Sequence, residues 1–114
     1  MHRRFGIAAA LVAAAFLSPP CQMNAAAQDV AAGKRKAVAC QTCHGLDGIA
    51  KLPDAPNLAA QPAAYLEREM RAYRSGTRRN EVMSFAAKPL SDDDIRNLAA
   101  YYSAIQIEVK SVPQ

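Results

Sequence analysis

Tryptophan is absent from the 114 residues, and other aromatic side chains are scarce: four tyrosines and three phenylalanines. Such a chain has few large flat side chains with which to fill a core. Cysteine and histidine are rare as well, three and two respectively. Cys21 and His2 lie near the N-terminus, so the rest of the chain holds only Cys40, Cys43 and His44. That part therefore has too few cysteines for a disulfide framework and too few donors for a closed zinc site of four cysteine and histidine ligands. Long apolar runs are missing too. The longest, Ile7 to Leu17, is too short to span a bilayer as an ordinary transmembrane helix. No internal repeat, low-complexity segment or strand-rich pattern before Cys40 is present.

The short apolar run has a different reading. Met1-His2-Arg3-Arg4 is a basic start, Ile7 to Leu17 follows, and Ala25-Ala26-Ala27 offers small residues for cleavage. Together they predict a secretory signal peptide over residues 1–27 and a mature domain over residues 28–114. An uncleaved anchor is the alternative. Removing the first 27 of 114 residues leaves 87, enough for one small domain. Lys and Arg then fall from 14 to 12 against 10 acids, a formal charge of +2. The basic balance of the whole chain thus comes partly from the leader and does not argue for nucleic-acid binding.

What is present is concentrated in Cys40-Gln41-Thr42-Cys43-His44-Gly45. Two cysteines separated by two residues and followed at once by histidine form the pattern for attaching a c-type haem. One helical turn spaces the thiols to reach two vinyl groups of one porphyrin. The histidine that follows lies where an imidazole can ligate the iron. A thioredoxin-like dithiol would use the same two cysteines, with the reactive one at a helix start, usually in a βαβ setting. Half a zinc site would need further ligands at matching spacing. A covalent haem would also fill a core short of aromatics, and it predicts a largely unfolded apoprotein. Its two propionates would bring the charge close to zero.

Around this motif the chain reads as helices and loops. Asp29 can cap a first helix from Val30 to about Ala39. Gly33 is out of place inside it unless another helix approaches closely. Gly45, Asp47, Gly48, Pro53 and Pro56 mark a loop. A second helix is expected from Pro62, in its first turn, to about Arg74, with an apolar stripe of Tyr65, Leu66, Met70 and Tyr73 and a stop at Gly76. Thr77 to Pro89 reads as a loop with a short helical turn at Phe85-Ala86-Ala87. Ser91 and Asp94 form a capping box, and Ile95, Leu98, Ala99 and Tyr102 carry a helical apolar period.

An iron held by His44 has a second axial position. No other histidine remains downstream of the leader, and Met23 is lost with it, leaving Met70 and Met83 as thioether candidates. Met70 sits on an apolar helical stripe, where methionine usually packs a core. Met83, late in the chain and in a loop, is the preferred ligand; lysine, water or an open site are the remaining options. A thioether opposite imidazole raises the reduction potential. A filled sixth position also favours simple electron transfer.

Taken together these residues resemble the class I c-type cytochromes, in particular the small bacterial c-five-five-three type and single halves of the dihaem c-four type. The markers are Gly33 seven residues before Cys40, the Cys40 to Gly45 site, Pro56-Asn57-Leu58, Tyr65-Leu66, Gly76 to Asn80 followed by Met83, and Leu90 to Ile95 leading to Leu98-Ala99-Ala100-Tyr101. The resemblance covers about Ala32 to Ile105. It implies an all-α fold of about three to five helices wrapped around one covalently attached haem c, with the terminal helices crossing. It implies that Leu98 and Tyr101 pack against Gly33, and that the Pro56 carbonyl accepts a hydrogen bond from His44. It supports Met83 as the iron ligand and places Arg78 to pair with a haem propionate.

The function expected is a periplasmic monohaem electron carrier, not an enzyme, serving redox proteins such as an oxidase, reductase or dehydrogenase. It would have no stable membrane insertion after cleavage and would be a monomer or part of a complex. Two alternatives stand beside it. One is a haem subunit of a larger dehydrogenase, oxidising for example a sulfur compound or an alcohol, with Ile49 and Leu52 in the interface. The other is a haem enzyme or sensor with an open sixth site. The dense arginines from Arg68 to Arg79 form a solvated face or a surface that steers an acidic partner.

Overall fold

A computed structural model describes residues 28–114; the expected signal peptide over residues 1–27, with His2, Cys21 and Met23, lies outside them. Among the described residues there are five helices and no strand: α1 (Val30–Ala37), α2 (Gln41–His44), α3 (Ala63–Ser75), α4 (Glu81–Ala87) and α5 (Asp92–Ser103).

Helix α1 begins where its cap predicts, with the Asp29 carboxylate accepting from the Ala32 amide at 2.9 Å. It ends at Ala37, earlier than the expected Ala39, because the bonding tightens. Ala39 and Cys40 donate to the carbonyls of Lys36 and Ala37, three residues back, which turns the chain into α2. Helices α1 and α5 cross at Gly33. A β-carbon there would overlap the Asn97 carbonyl, 2.6 Å from its carbon, and lie 2.8 Å from Tyr101 Cβ. The close approach expected of Gly33 is therefore present. Its nearest neighbours are Asn97 and Tyr101, four apart on one ridge of α5. Leu98 lies about 100° further round the helix and faces the core with Ala37, Leu66, Ala99 and Tyr102.

Helix α3 starts one residue later than expected. Pro62 stands at the cap with extended backbone (ψ 132°), outside the first turn, and Gly76 ends the helix in the left-handed region at φ 83°. The largest departure is α4. Asn80 caps it by accepting from the Met83 amide at 2.9 Å, and seven residues become helical where a loop with one short turn was expected. Seven residues are too few to display a clear 3.6-residue period, and α4 is held by packing on α3. Met83 is thus a helical residue.

Helix α5 has its capping box: Ser91 Oγ accepts from the Asp94 amide and Asp94 Oδ2 from the Ser91 amide, both at 3.0 Å. Asp94 also pairs with Lys36 of α1 at 2.9 Å. The Lys36 bond, then the Ser91 amide, hold the Asp94 carboxyl below its ordinary 3.8. Its folded pKa therefore lies under its unfolded one. The stabilisation is complete above about pH 4 and fades as the pH falls through the folded value. Asp94→Asn is accordingly expected to be less stable than the parent near neutrality, with the gap narrowing below about pH 4. Denaturant midpoints measured from pH 6 down to pH 3 check this.

The core is built from small side chains. Ala37 and Ala87 are fully buried, and Ile95 is the largest side chain among the described residues to be so. Phe85, by contrast, is 84 % exposed.

Candidate functional site

Helix α2 is one turn long and, with Cys40 at its N-cap, carries the attachment motif. His44 donates its amide to the Cys40 carbonyl at 3.0 Å, and Gly45 donates to Gln41 at 2.9 Å. Both thiols are free and half-buried. Burial pushes the Cys40 thiol above its ordinary value, Cys43 nearby adds to the shift, and Lys36 opposes it. A redox dithiol of the thioredoxin kind needs the opposite, a thiolate favoured at a helix start. The zinc alternative also lacks support, since no group of three or more His, Cys, Asp and Glu side chains gathers among the described residues.

After α2 the chain makes a loop that returns on itself. Gly45 and Gly48 have φ of 73° and 71°, and a β-carbon on Gly48 would lie 2.6 Å from the Ala59 amide. The Gly48 carbonyl accepts from Leu58 at 2.8 Å and Ala59 at 3.0 Å. Lys51 donates its amide to the Cys43 carbonyl at 2.8 Å, and Asn57 Oδ1 accepts from the Ala50 amide at 2.7 Å. These bonds bring Pro56 back over α2, where its carbonyl lies 2.9 Å from His44 Nδ1. A carbonyl only accepts, so Nδ1 carries a proton and is the donor of this bond. His44 is buried, at 7 % exposure. A buried imidazole oriented through Nδ1, immediately after a pair of half-buried thiols, is a donor set that suits a covalent haem. The residues present fit that group.

The two methionines occupy different environments. Met70 packs against the core cluster of Ala37, Leu66, Leu98, Ala99 and Tyr102. Met83 is half-buried on α4 and lies outside that cluster. Arg78 donates to Glu69 at 2.7 Å, and its guanidinium lies 4.7 Å from the centre of the Tyr73 ring. The five arginines from Arg68 to Arg79 share three carboxylates, so the face is partly paired and keeps a net positive charge. Arg68 pairs with Glu69, Arg71 with Glu67 and Arg74 with Asp92, while Arg79 has no carboxylate partner among the described residues.

The sequence profile described as Cytochrome c matches residues 30–105. The chain belongs to the cytochrome c family. It is an electron-transfer haem protein with covalently bound haem c, and Cys40 and Cys43 form a Cys-x-x-Cys-His motif with His44. This cytochrome c is 47 % identical over 81 residues to cytochrome c-554(548) of Halomonas halodenitrificans, covering 68 % of this chain and 98 % of that one. It is 39 % identical to cytochrome c4 of Pseudomonas aeruginosa, covering 74 % of this chain and 42 % of that one. It is 41 % identical to a thiosulfate dehydrogenase electron acceptor of Thiomonas intermedia, covering 73 % and 39 %. The chain thus spans nearly all of the first relative and about two fifths of the other two. Among solved structures, reduced cytochrome c4 from Pseudomonas stutzeri matches with a TM-score of 0.65 and 34 % identity, over 70 % of this chain and 47 % of that one. The all-α class I cytochrome c fold expected from the resemblance is the fold present.

Several residues of the site were invisible in the sequence reading. Asn57 as the clasp on Ala50 and Tyr101 and Tyr102 as hydroxyl donors had no local signature, because their partners are 7, 55 and 57 residues away. Asn80 had one: an asparagine three residues before Met83 at N-cap spacing.

Proposed function

We propose that this cytochrome c is a periplasmic one-electron carrier whose haem iron is held between His44 and Met83. Haem bound here supplies an iron couple that takes up and returns a single electron. The observation that carries the reading is the His44 ring, buried, with Nδ1 committed to the Pro56 carbonyl, so that Nε2 is the nitrogen left to meet an iron. That bond fixes the plane of the imidazole and makes Nε2 a better donor. Cys40 and Cys43 would hold the group by thioether bonds. Met83 is favoured over Met70 because Met70 already serves the core. Arg78 is the proposed partner of a propionate, which it would share with Glu69. Export rests on the leader motif in residues 1–27. No helix among the described residues is long and apolar enough to cross a membrane.

The test is an optical spectrum of the purified holoprotein, oxidised and reduced, with carbon monoxide added to the reduced form. Low-spin spectra, a weak methionine charge-transfer band in the oxidised state and no response to carbon monoxide are expected. A high-spin spectrum that shifts with carbon monoxide would remove Met83 as ligand and bring forward the enzyme or sensor alternative.

A second reading, a permanent subunit of a larger dehydrogenase, is favoured by the exposed apolar side chains of the attachment loop. Ile49 is 43 % exposed and Leu52 48 %. One relative is named as the electron acceptor of a thiosulfate dehydrogenase. Gel filtration of native extract separates the two, because a subunit would elute with a large enzyme and a free carrier near its own mass.

A further inference from the structure

The bond between His44 and Pro56 joins two arms of one loop. The donor sits on the arm entering the loop, immediately before Gly45. The acceptor sits on the arm leaving it, four residues before Ala60. Bonds inside the loop tie the arms to each other, through Gly48 to Leu58 and Ala59 and through Asn57 to Ala50. Something must also hold the closed loop against the helices.

Helix α5 supplies this through one residue that contacts both arms. Tyr102 donates its hydroxyl to the Gly45 carbonyl at 3.3 Å, on the arm that carries His44. Its own main-chain carbonyl accepts from the Ala60 amide at 3.0 Å, on the arm that carries Pro56. Tyr102 is 3 % exposed and belongs to the central core cluster, so it is itself immobilised. Tyr101 adds a grip on one arm only, donating to the Leu46 carbonyl at 2.7 Å, with its ring centre 5.1 Å from that of Tyr102. Ala60 has φ 59°, the only positive φ among described non-glycine residues. An alanine persists there only where its surroundings over-determine the backbone, and the bond to Tyr102 is part of that constraint. Burial raises the Tyr102 phenol above its ordinary value, so it remains a neutral O–H donor.

We infer that Tyr102 is a positioning residue for the haem iron ligand, pinning both arms of the loop to α5 and so keeping the His44 Nδ1–H···O=C Pro56 bond closed. The inference rests on His44 being an iron ligand. It assigns to Tyr102 a role distinct from packing: the hydroxyl controls how often the imidazole bond opens, and through that bond the electron-donating strength of Nε2.

The experiment compares Tyr102→Phe, Tyr101→Phe and the parent holoprotein, all in the reduced state. Nuclear magnetic resonance follows solvent exchange of the His44 Nδ1–H, and redox titration gives the midpoint potential. Tyr102→Phe keeps the ring, so the core stays filled while one hydrogen bond is lost. That loss is expected to speed Nδ1–H exchange about tenfold, the equivalent of one typical bond, and to raise the potential because the imidazole donates less. Tyr101→Phe should change both less. A Tyr102→Phe protein with unchanged Nδ1–H exchange and potential, whatever its global stability, overturns the inference. If that variant does not fold, the parent decides alone: the Ala60 amide and the His44 Nδ1–H should exchange through a common opening, and independent exchange overturns the pin. Absence of iron-ligand shifts on the His44 ring in the parent would instead overturn the functional reading on which it rests.

Discussion

Gly33→Ala is expected to lower the stability of the holoprotein by about 3 kcal/mol, or to prevent its accumulation. The reasoning separates two opposed effects. Inside a helix, alanine is better than glycine by about 0.5–1 kcal/mol. At this position the added β-carbon would collide with the Asn97 carbonyl and with Tyr101 Cβ. The first obstacle is backbone, which no rotamer change can move aside, so α1 and α5 would have to separate. Those two helices carry Ala37, Leu98, Ala99 and Tyr102, most of the core cluster. At about 0.05–0.15 kcal/mol per residue, a domain of this size has little reserve. Guanidinium unfolding followed by the haem absorbance measures the loss. Gly76→Ala is the control: nothing lies within 4 Å of its added carbon, and only the φ of 83° resists it, so a cost of about 1 kcal/mol is expected. A Gly33→Ala protein within 1 kcal/mol of the parent would show that the helix crossing yields easily.

Met83→Ala is expected to convert a closed low-spin iron into one that binds carbon monoxide when reduced, with a marked fall in potential. A thioether stabilises the reduced state, and water in its place does so less. Global stability should change less than the spectrum does, because Met83 lies outside the core cluster. Met70→Ala should behave in the opposite way. It removes a side chain packed on that cluster, so a loss of about 2 kcal/mol is expected with the spectrum intact. Spectra and unfolding curves of the two variants form a crossed comparison. A Met70→Ala protein with an open iron and an unchanged Met83→Ala spectrum would reverse the assignment.

These two experiments also mark how differently the parts of the molecule could be read. Gly33 was legible as a point of close approach because glycine inside a helix needs a reason. Which residues meet it was not, since Asn97 and Leu98 are adjacent in sequence and only the crossing angle decides between them. Met83 was legible as a candidate soft donor by elimination. Its helix was not, because seven residues capped by Asn80 carry too little periodicity and α4 depends on its contact with α3. The arginines from Arg68 to Arg79 were legible as a cluster. Their pairing with Glu67, Glu69 and Asp92 depended on how α3 lies against its neighbours.

By itself the sequence determined what depends on short spacing. The order Cys40-x-x-Cys43-His44 places the three candidate haem-binding side chains together because one helical turn and its cap bring them close. Asp29, Ser91 with Asp94, and Gly76 set helix ends because caps act within three or four residues. Tertiary structure alone decided what acts across the chain. It placed Asn97 nearest to Gly33, packed Met70 on the core, and tied the loop to α5 through Tyr102. The physical reason is range. Backbone geometry couples near neighbours directly, whereas contacts between residues dozens of positions apart exist only once packing has brought the helices together.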